Sequence, residues 1–368
     1  STSITWMPDS ESIIFASNRS DKPEYSPRQS DLYSVSLTTG VLTQLTDQAG
    51  AEGNPAVSPD GRFLAYAATA GIRKGYNGAE LVIKDLKTGE TRTLTDTLDR
   101  SVADIQWSDN SKRIWIGYDD LGVGRAAEVD LNGKLRKAEI VIGGTAIGRP
   151  YTSGAFSVAG DARLAFTQGR DDRPADIAVF RPGKAPLQLT DLNSDLMGQR
   201  QMARVERLVW PSSHDELMIE GWVMKPPGFD PSRQYPMILE IHGGPHAAYG
   251  PNYSTEAQLY AAAGYVVFYT NPRGSTSYGD TFANEIDLAY PGYDYDDLMS
   301  GVDALIEKGF VDPTQLFVTG GSGGGVLTAW IVGKTDRFRA AVVAKPVINW
   351  ASFVLTADRN YYFATTWF

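Results

Sequence analysis

The sequence predicts two successive architectures: a partial β-propeller of about four blades, then an α/β domain with a parallel-type sheet and crossover helices. Three observations predict them. A unit of close to 50 residues recurs four times in the first half, a period that suits propeller blades. Past the repeat, apolar strands alternate with helical stretches. In that second part a Gly-x-Ser-x-Gly run lies between a strand and a helix. At 368 residues the chain exceeds one ordinary core, and two domains are expected, 1–200 and 201–368.

The repeat units open at Trp6-Met7-Pro8-Asp9, Val57-Ser58-Pro59-Asp60-Gly61, Trp107-Ser108-Asp109-Asn110 and Phe156-Ser157, with starts 51, 50 and 49 residues apart. Each opening turn leads into a short apolar strand, such as Ile13–Ala16 or Phe63–Tyr66. A second strand follows, such as Asp31–Val35 or Leu81–Lys84. Hairpin turns then fall at Thr39-Gly40, Thr88-Gly89, Asn132-Gly133 and Pro182-Gly183. Three units close on near-identical words: Gln44-Leu45-Thr46-Asp47, Thr93-Leu94-Thr95-Asp96 and Gln188-Leu189-Thr190-Asp191. Four short strands per unit without helical periodicity make a blade. Because the chain opens in strand-like sequence, further blades are expected to precede Ser1; a complete four-bladed propeller is the alternative.

From about residue 205 the pattern changes. A strand at Leu217–Met224 is followed by the loop Pro226-Pro227-Gly228, and a strand at Pro236–Ile241 by a Gly-rich turn. Thr255–Ala263 reads as a helix, Tyr265–Tyr269 as a strand. From Asp294 to Lys308 the apolar residues Leu298, Val302, Leu305 and Ile306 share one helix face. A strand at Gln315–Thr319, the serine turn, a helix running to Gly333 and a strand at Ala340–Val343 complete the order of an α/β-hydrolase domain.

Composition removes several function classes. Hydrophobic content of 42% with 21% charged residues is that of a soluble globular protein. A net charge of −10 without a Lys/Arg cluster argues against nucleic acid as a partner, since phosphate binding needs cations. With no cysteine there are no disulfides, thiolate metal sites or Cys nucleophile. Apolar stretches such as Tyr260–Tyr269 fall far short of a membrane span, so no membrane partner is expected. The compartment stays open between cytoplasm and periplasm.

The chemistry centres on Gly320-Gly321-Ser322-Gly323-Gly324. On a sharp strand-to-helix turn Ser322 presents its hydroxyl as a nucleophile, and the N–H of Gly323 faces a tetrahedral oxyanion. His242-Gly243-Gly244-Pro245, directly after an apolar strand, is the matching loop, with the N–H of Gly244 as second oxyanion donor and His242, Gly243 and Pro245 around the substrate. Either run alone could be a plain Gly-rich turn; together they point to acyl transfer. His242 and His246 have zinc-binding spacing on a helix, but Gly243-Gly244-Pro245 forbids that helix, and no metal or organic cofactor is expected. His214 reads as a surface residue in a polar turn. A serine nucleophile needs a base, and in this fold the chain order is Ser, then Asp or Glu, then His. All three histidines precede Ser322; Asp336 and Asp358 follow it without a histidine. The triad is therefore incomplete within these residues, and they are expected to be inactive alone.

Taken together, these residues resemble the prolyl oligopeptidase family of serine peptidases, in particular its acylaminoacyl-peptidase and dipeptidyl-peptidase-like bacterial branch. The matching words are His242-Gly243-Gly244-Pro245, Asn271-Pro272-Arg273-Gly274-Ser275, Tyr293-Asp294-Tyr295-Asp296-Asp297-Leu298-Met299, the turn at Ser322, and Thr335-Asp336-Arg337-Phe338. The resemblance implies a propeller that restricts access to a hydrolase domain, oligopeptide substrates, an acyl-enzyme on Ser322, and Asp and His on later segments. Members are often homo-oligomers; no residue here argues for that. The residue after the serine is often aromatic or His in this family and is Gly323 here. A carboxylester hydrolase on the same fold and a non-catalytic propeller binding module are the alternative readings.

Overall fold

The computed structural model describes residues 3–71, 75–160, 162–358 and 361–363. Its first half contains four antiparallel sheets of four strands, each in simple up-and-down order. They are β1 (Ile4–Trp6), β2 (Ser12–Ser17), β3 (Asp31–Ser36) and β4 (Leu42–Gln44); β5 (Glu52–Val57), β6 (Phe63–Ala68), β7 (Glu80–Asp85) and β8 (Thr91–Thr93); β9 (Val102–Trp107), β10 (Arg113–Asp120), β11 (Val123–Asp130) and β12 (Leu135–Lys137); and β13 (Phe156–Val158), β14 (Leu164–Gln168), β15 (Asp176–Phe180) and β16 (Leu187–Gln188). These are propeller blades, and the repeated words have a structural reason. The threonine of each closing word accepts a backbone N–H from the third strand: Leu32 to Thr46, Leu81 to Thr95 and Ile177 to Thr190, each at 2.8 Å. The hydroxyl thus extends the ladder where the outer strand has ended. In the opening word, Ser58 Oγ donates to Asp60 and accepts the Phe63 N–H, closing the turn before β6.

After the single turn α1 (Ser194–Met197) come β17 (Val205–Pro211), β18 (Met218–Met224), β19 (Tyr235–Ile241), α2 (Thr255–Ala262), β20 (Val266–Asn271), α3 (Asp280–Asn284), α4 (Asp294–Ile306), β21 (Val311–Gly321), α5 (Gly323–Val332), β22 (Ala340–Ala344) and α6 (Trp350–Thr356). The strands form one sheet in the order β17-β18-β20-β19-β21-β22, antiparallel at β17/β18 and β18/β20 and parallel beyond. β17, α3 and α6 go beyond the sequence expectations. β17 carries Glu206 and Arg207 and gains its place by pairing with β18 from Val205↔Met224 to Pro211↔Met218.

Both faces of the central strands are covered. Val266 and Phe268 of β20 join the core cluster that holds Leu298, Val302 and Leu305 of α4 and Leu327 and Ile331 of α5. Val267 and Tyr269 point the other way, into a cluster with Ala257 and Ala261 of α2. Burial on two faces is why these strands read as unbroken apolar runs rather than as alternating ones.

Candidate active site

β19 and β21 are parallel neighbours, with Ile241 opposite Gly320. Parallel pairing in that register brings both C-terminal ends to one edge of the sheet, where α/β folds open their crevices. The His242 loop leaves one end and Ser322 the other.

Ser322 lies between the last residue of β21 and the first of α5, with φ 58° and ψ −117°. Backbone of this kind costs a residue with a Cβ about 1–3 kcal/mol. It is held by the Ser322 N–H donating to Ala344 O and the Val326 N–H donating to Ser322 O, both at 3.0 Å. The Ser322 side chain is exposed. Two glycines permit the turn: a Cβ on Gly320 would collide with Gly324 O, and one on Gly324 with Ile241 O.

The loop comes close to this turn. A Cβ built on Gly323 would lie 2.9 Å from the Gly244 carbonyl carbon and 3.0 Å from its nitrogen and oxygen; one on Gly243 would lie 3.4 Å from Ser322 Cβ. Gly244 is exposed and Gly243 buried. Gly323 opens α5, where an amide N–H has no intrahelical acceptor and the helix dipole is positive. Its carbonyl accepts the Tyr290 hydroxyl at 2.8 Å.

The two expected side chains of the loop, His242 and Pro245, turn inward. His242 is 3% exposed and stands edge-on to Tyr249, with its ring nitrogens 2.8 Å from Gly243 O and 2.9 Å from Ser275 Oγ. Burial pulls its imidazole down to about 4, so the ring is neutral and supports the loop from beneath. Pro245 is buried as well. The member of the loop that meets the open site is Gly244. His246 places Nδ1 3.0 Å from Gly274 O and its ring 5.3 Å from Tyr76. His214 is exposed, its ring stacked 3.4 Å from that of Tyr293. Among the described residues no group of three or more His, Cys, Asp or Glu could hold a metal ion. Asp336 and Asp358 are both exposed. Of the aromatic run 361–368, residues 364–368 lie outside the described residues.

Words far apart in sequence meet under the site. Arg273, buried between strand and helix, binds Asp297 Oδ1 at 2.9 Å and Oδ2 at 3.0 Å, and Asp215 at 2.9 and 3.1 Å. Ser275, two residues on, meets His242. Asp294 opens α4 fully buried: Oδ1 accepts the N–H groups of Gly292 and Tyr295, Oδ2 has no partner, and burial pushes its carboxyl up to about 7. Glu240 on β19 is likewise pushed up to about 7 by burial, against the pull of Arg149 and of the Tyr249 hydroxyl that donates to it. Arg149 and Tyr151 come from the propeller half, and no motif marked either.

Residues 251–368 match the family model described as the prolyl oligopeptidase family. An uncharacterized peptidase of Bacillus subtilis is 34% identical over 90% of this chain and 59% of its own length. The second half of the chain is thus similar to the prolyl oligopeptidase family. Dipeptidyl-peptidase 5 of Porphyromonas gingivalis is 29% identical over 93% of this chain and 49% of its own length. In fold the chain is similar to Pyrococcus horikoshii acylaminoacyl peptidase, with TM-score 0.81, 23% identity, and coverage of 99% of this chain and 55% of that one. The chain thus spans about half the length of the relatives it matches. No helix among the described residues is long and apolar enough to cross a membrane.

Proposed function

We propose that this chain is part of a serine peptidase that hydrolyses peptide bonds of oligopeptides through an acyl-enzyme on Ser322. The observation that carries the reading is the exposed Ser322 on a strained strand-to-helix turn, with the Gly244 backbone about 3 Å from where a Gly323 Cβ would stand. The serine oxygen attacks the scissile carbonyl carbon and its proton passes to a base. The oxyanion so formed lies between the N–H groups of Gly323 and Gly244. Collapse expels the amine with the proton, leaving acyl-Ser322, and water then repeats the attack to release the acid. Each oxyanion donor of this kind contributes about 10²–10³ in rate. The relatives named dipeptidyl-peptidase and acylaminoacyl peptidase support an oligopeptide substrate.

The base is the open element. His242 is buried and neutral, His246 is engaged with Gly274, and His214 stacks on Tyr293. We therefore place the base and its orienting carboxylate outside these 368 residues. The test compares the full-length protein, its Ser322→Ala variant and residues 1–368 alone on a peptide and ester panel with fluorophosphonate labelling. Peptide hydrolysis and labelling by the first only are expected. Preference for esters over peptides, hydrolysis that survives Ser322→Ala, or turnover by residues 1–368 alone would each overturn part of the reading.

A further inference from the structure

The oxyanion loop is gripped from the propeller as well as from its own domain. Between β12 and β13 the segment 147–152 crosses onto the hydrolase half and bonds to it repeatedly. Ile147 O accepts the Thr255 N–H at 2.8 Å, Pro150 O accepts the Gly250 N–H at 2.8 Å, and the Thr152 N–H donates to Ala248 O at 3.0 Å. The Ser254 hydroxyl, which caps α2, donates to Gly148 O at 3.0 Å. Arg149 reaches Glu256 at 2.8 Å and the buried Glu240 at 3.4 Å. Tyr151 stands at the end of this strap, its ring edge-on to Tyr249 with centroids 4.7 Å apart.

The Tyr151 hydroxyl accepts the N–H of Gly243 at 2.8 Å. Gly243 is the residue before Gly244, and a Cβ built on it would lie 3.2 Å from Tyr151 Oη and 3.4 Å from Ser322 Cβ. The hydroxyl is therefore one peptide unit from the proposed donor. Two successive glycines have no side chains to pin their peptide planes, so the aim of the loop must be imposed from outside. His242 does this from below: its Nδ1 lies 2.8 Å from Gly243 O, and Ser275 and the edge-on ring of Tyr249 hold the imidazole in place. Nothing else that bonds to the Gly243 N–H is found among the described residues.

We infer that Tyr151 is a positioning residue of the reaction: by taking the Gly243 N–H, a hydroxyl of the propeller aims the N–H of Gly244 at the oxyanion. This rests on the serine-peptidase reading above. It ties the oxyanion hole to the docking of the propeller on the hydrolase domain along this strap.

The test is Tyr151→Phe in the full-length protein. The variant removes one oxygen and keeps the ring on Tyr249 and every backbone bond of the strap. The expected result is a fall in kcat of about ten- to hundredfold, the scale of a small misplacement in a reacting geometry. KM should stay within about twofold, because ground-state contacts are untouched. Hydrogen exchange in segment 242–248 should quicken, with the thermal midpoint lowered by no more than the few degrees that one unsatisfied buried N–H costs. Unchanged exchange in that segment, or quickened exchange with unchanged kcat, overturns the inference. If the wild-type protein neither cleaves peptides nor takes up a fluorophosphonate at Ser322, the peptidase reading fails on its own. The exchange comparison still decides whether Tyr151 holds the loop.

Discussion

Replacing Gly323 with alanine isolates the closeness of the two proposed oxyanion donors. The new methyl carbon would stand 2.9 Å from the Gly244 carbonyl carbon and 3.0 Å from its nitrogen and oxygen. Carbon atoms rest at about 3.5–4.0 Å, so the loop must retreat by roughly 0.5–1 Å. An oxyanion donor works at about 2.7–3.1 Å, and its outright removal costs about 10²–10³ in kcat. A retreat of this size should therefore cost about ten- to hundredfold in kcat. Stability should fall by about 2 kcal/mol or less, because overpacking costs about 1–3 kcal/mol and the preference of a helix for alanine over glycine returns up to about 1 kcal/mol. The assay is steady-state hydrolysis of a chromogenic peptide by full-length Gly323→Ala, together with its affinity for a peptide boronate, which mimics the tetrahedral intermediate. Both should fall by a similar factor, since both read the same donors. Full retention of kcat and of boronate affinity would refute the pairing of Gly323 with Gly244. The same contact rationalises the glycine after the nucleophile: this backbone approach leaves little room for a Cβ.

Three further outcomes follow from the geometry. Ser322→Gly should abolish hydrolysis by the full-length protein and yet raise thermal stability by about 1 kcal/mol, because glycine adopts positive φ without strain; a lowered midpoint would show that the turn is unstrained. Burial pushes the Asp294 carboxyl from its ordinary 3.8 up to about 7, so between those values the folded chain holds a proton that the unfolded chain has lost. Stability should accordingly fall as pH rises through that window and level off above it. Asp294→Asn should flatten part of the fall in thermal midpoint; identical pH profiles would contradict the assignment. Arg273→Met leaves Asp297 buried without its cation and should cost about 3–5 kcal/mol in urea unfolding, whereas Asp215→Asn, at the exposed end of the network, should cost less than about 1 kcal/mol. Equal losses would mean that the buried pair is not the stronger one.

Much of the fold could be read from local pattern. The propeller announced itself because each blade repeats the same turn and the same closing threonine, and those bonds span only 14 residues from Leu32 to Thr46 and again from Leu81 to Thr95. The strands and helices around Ser322 were legible for a similar reason: burial on both faces produces continuous apolar runs, and one-sided packing gives α4 its stripe of Leu298, Val302 and Leu305. β17 escaped because its polar and apolar residues make sense only against β18. The short α3 and α6 offered too little sequence for a period to emerge.

The site divides along the same line. Sequence alone pointed to the kind of chemistry proposed, because a serine flanked by glycines between a strand and a helix is a statement about local backbone, as is a His-Gly-Gly turn after a strand. It also determined the direction of the net charge and the absence of cysteine chemistry. Tertiary structure decided which of those residues face the open site. His242 lies beneath the loop, since a neutral ring between Ser275 and Tyr249 is a better neighbour for the core than for solvent. Arg273 and Asp297, separate words in the chain, became one buried pair. Tyr151 could not have been found by any pattern, because its partner Gly243 is 92 residues away and the bond between them exists only once propeller and hydrolase halves are docked. Local sequence encodes turns and strands through short-range sterics and periodic burial; which distant groups share a hydrogen bond is set by how the finished layers pack.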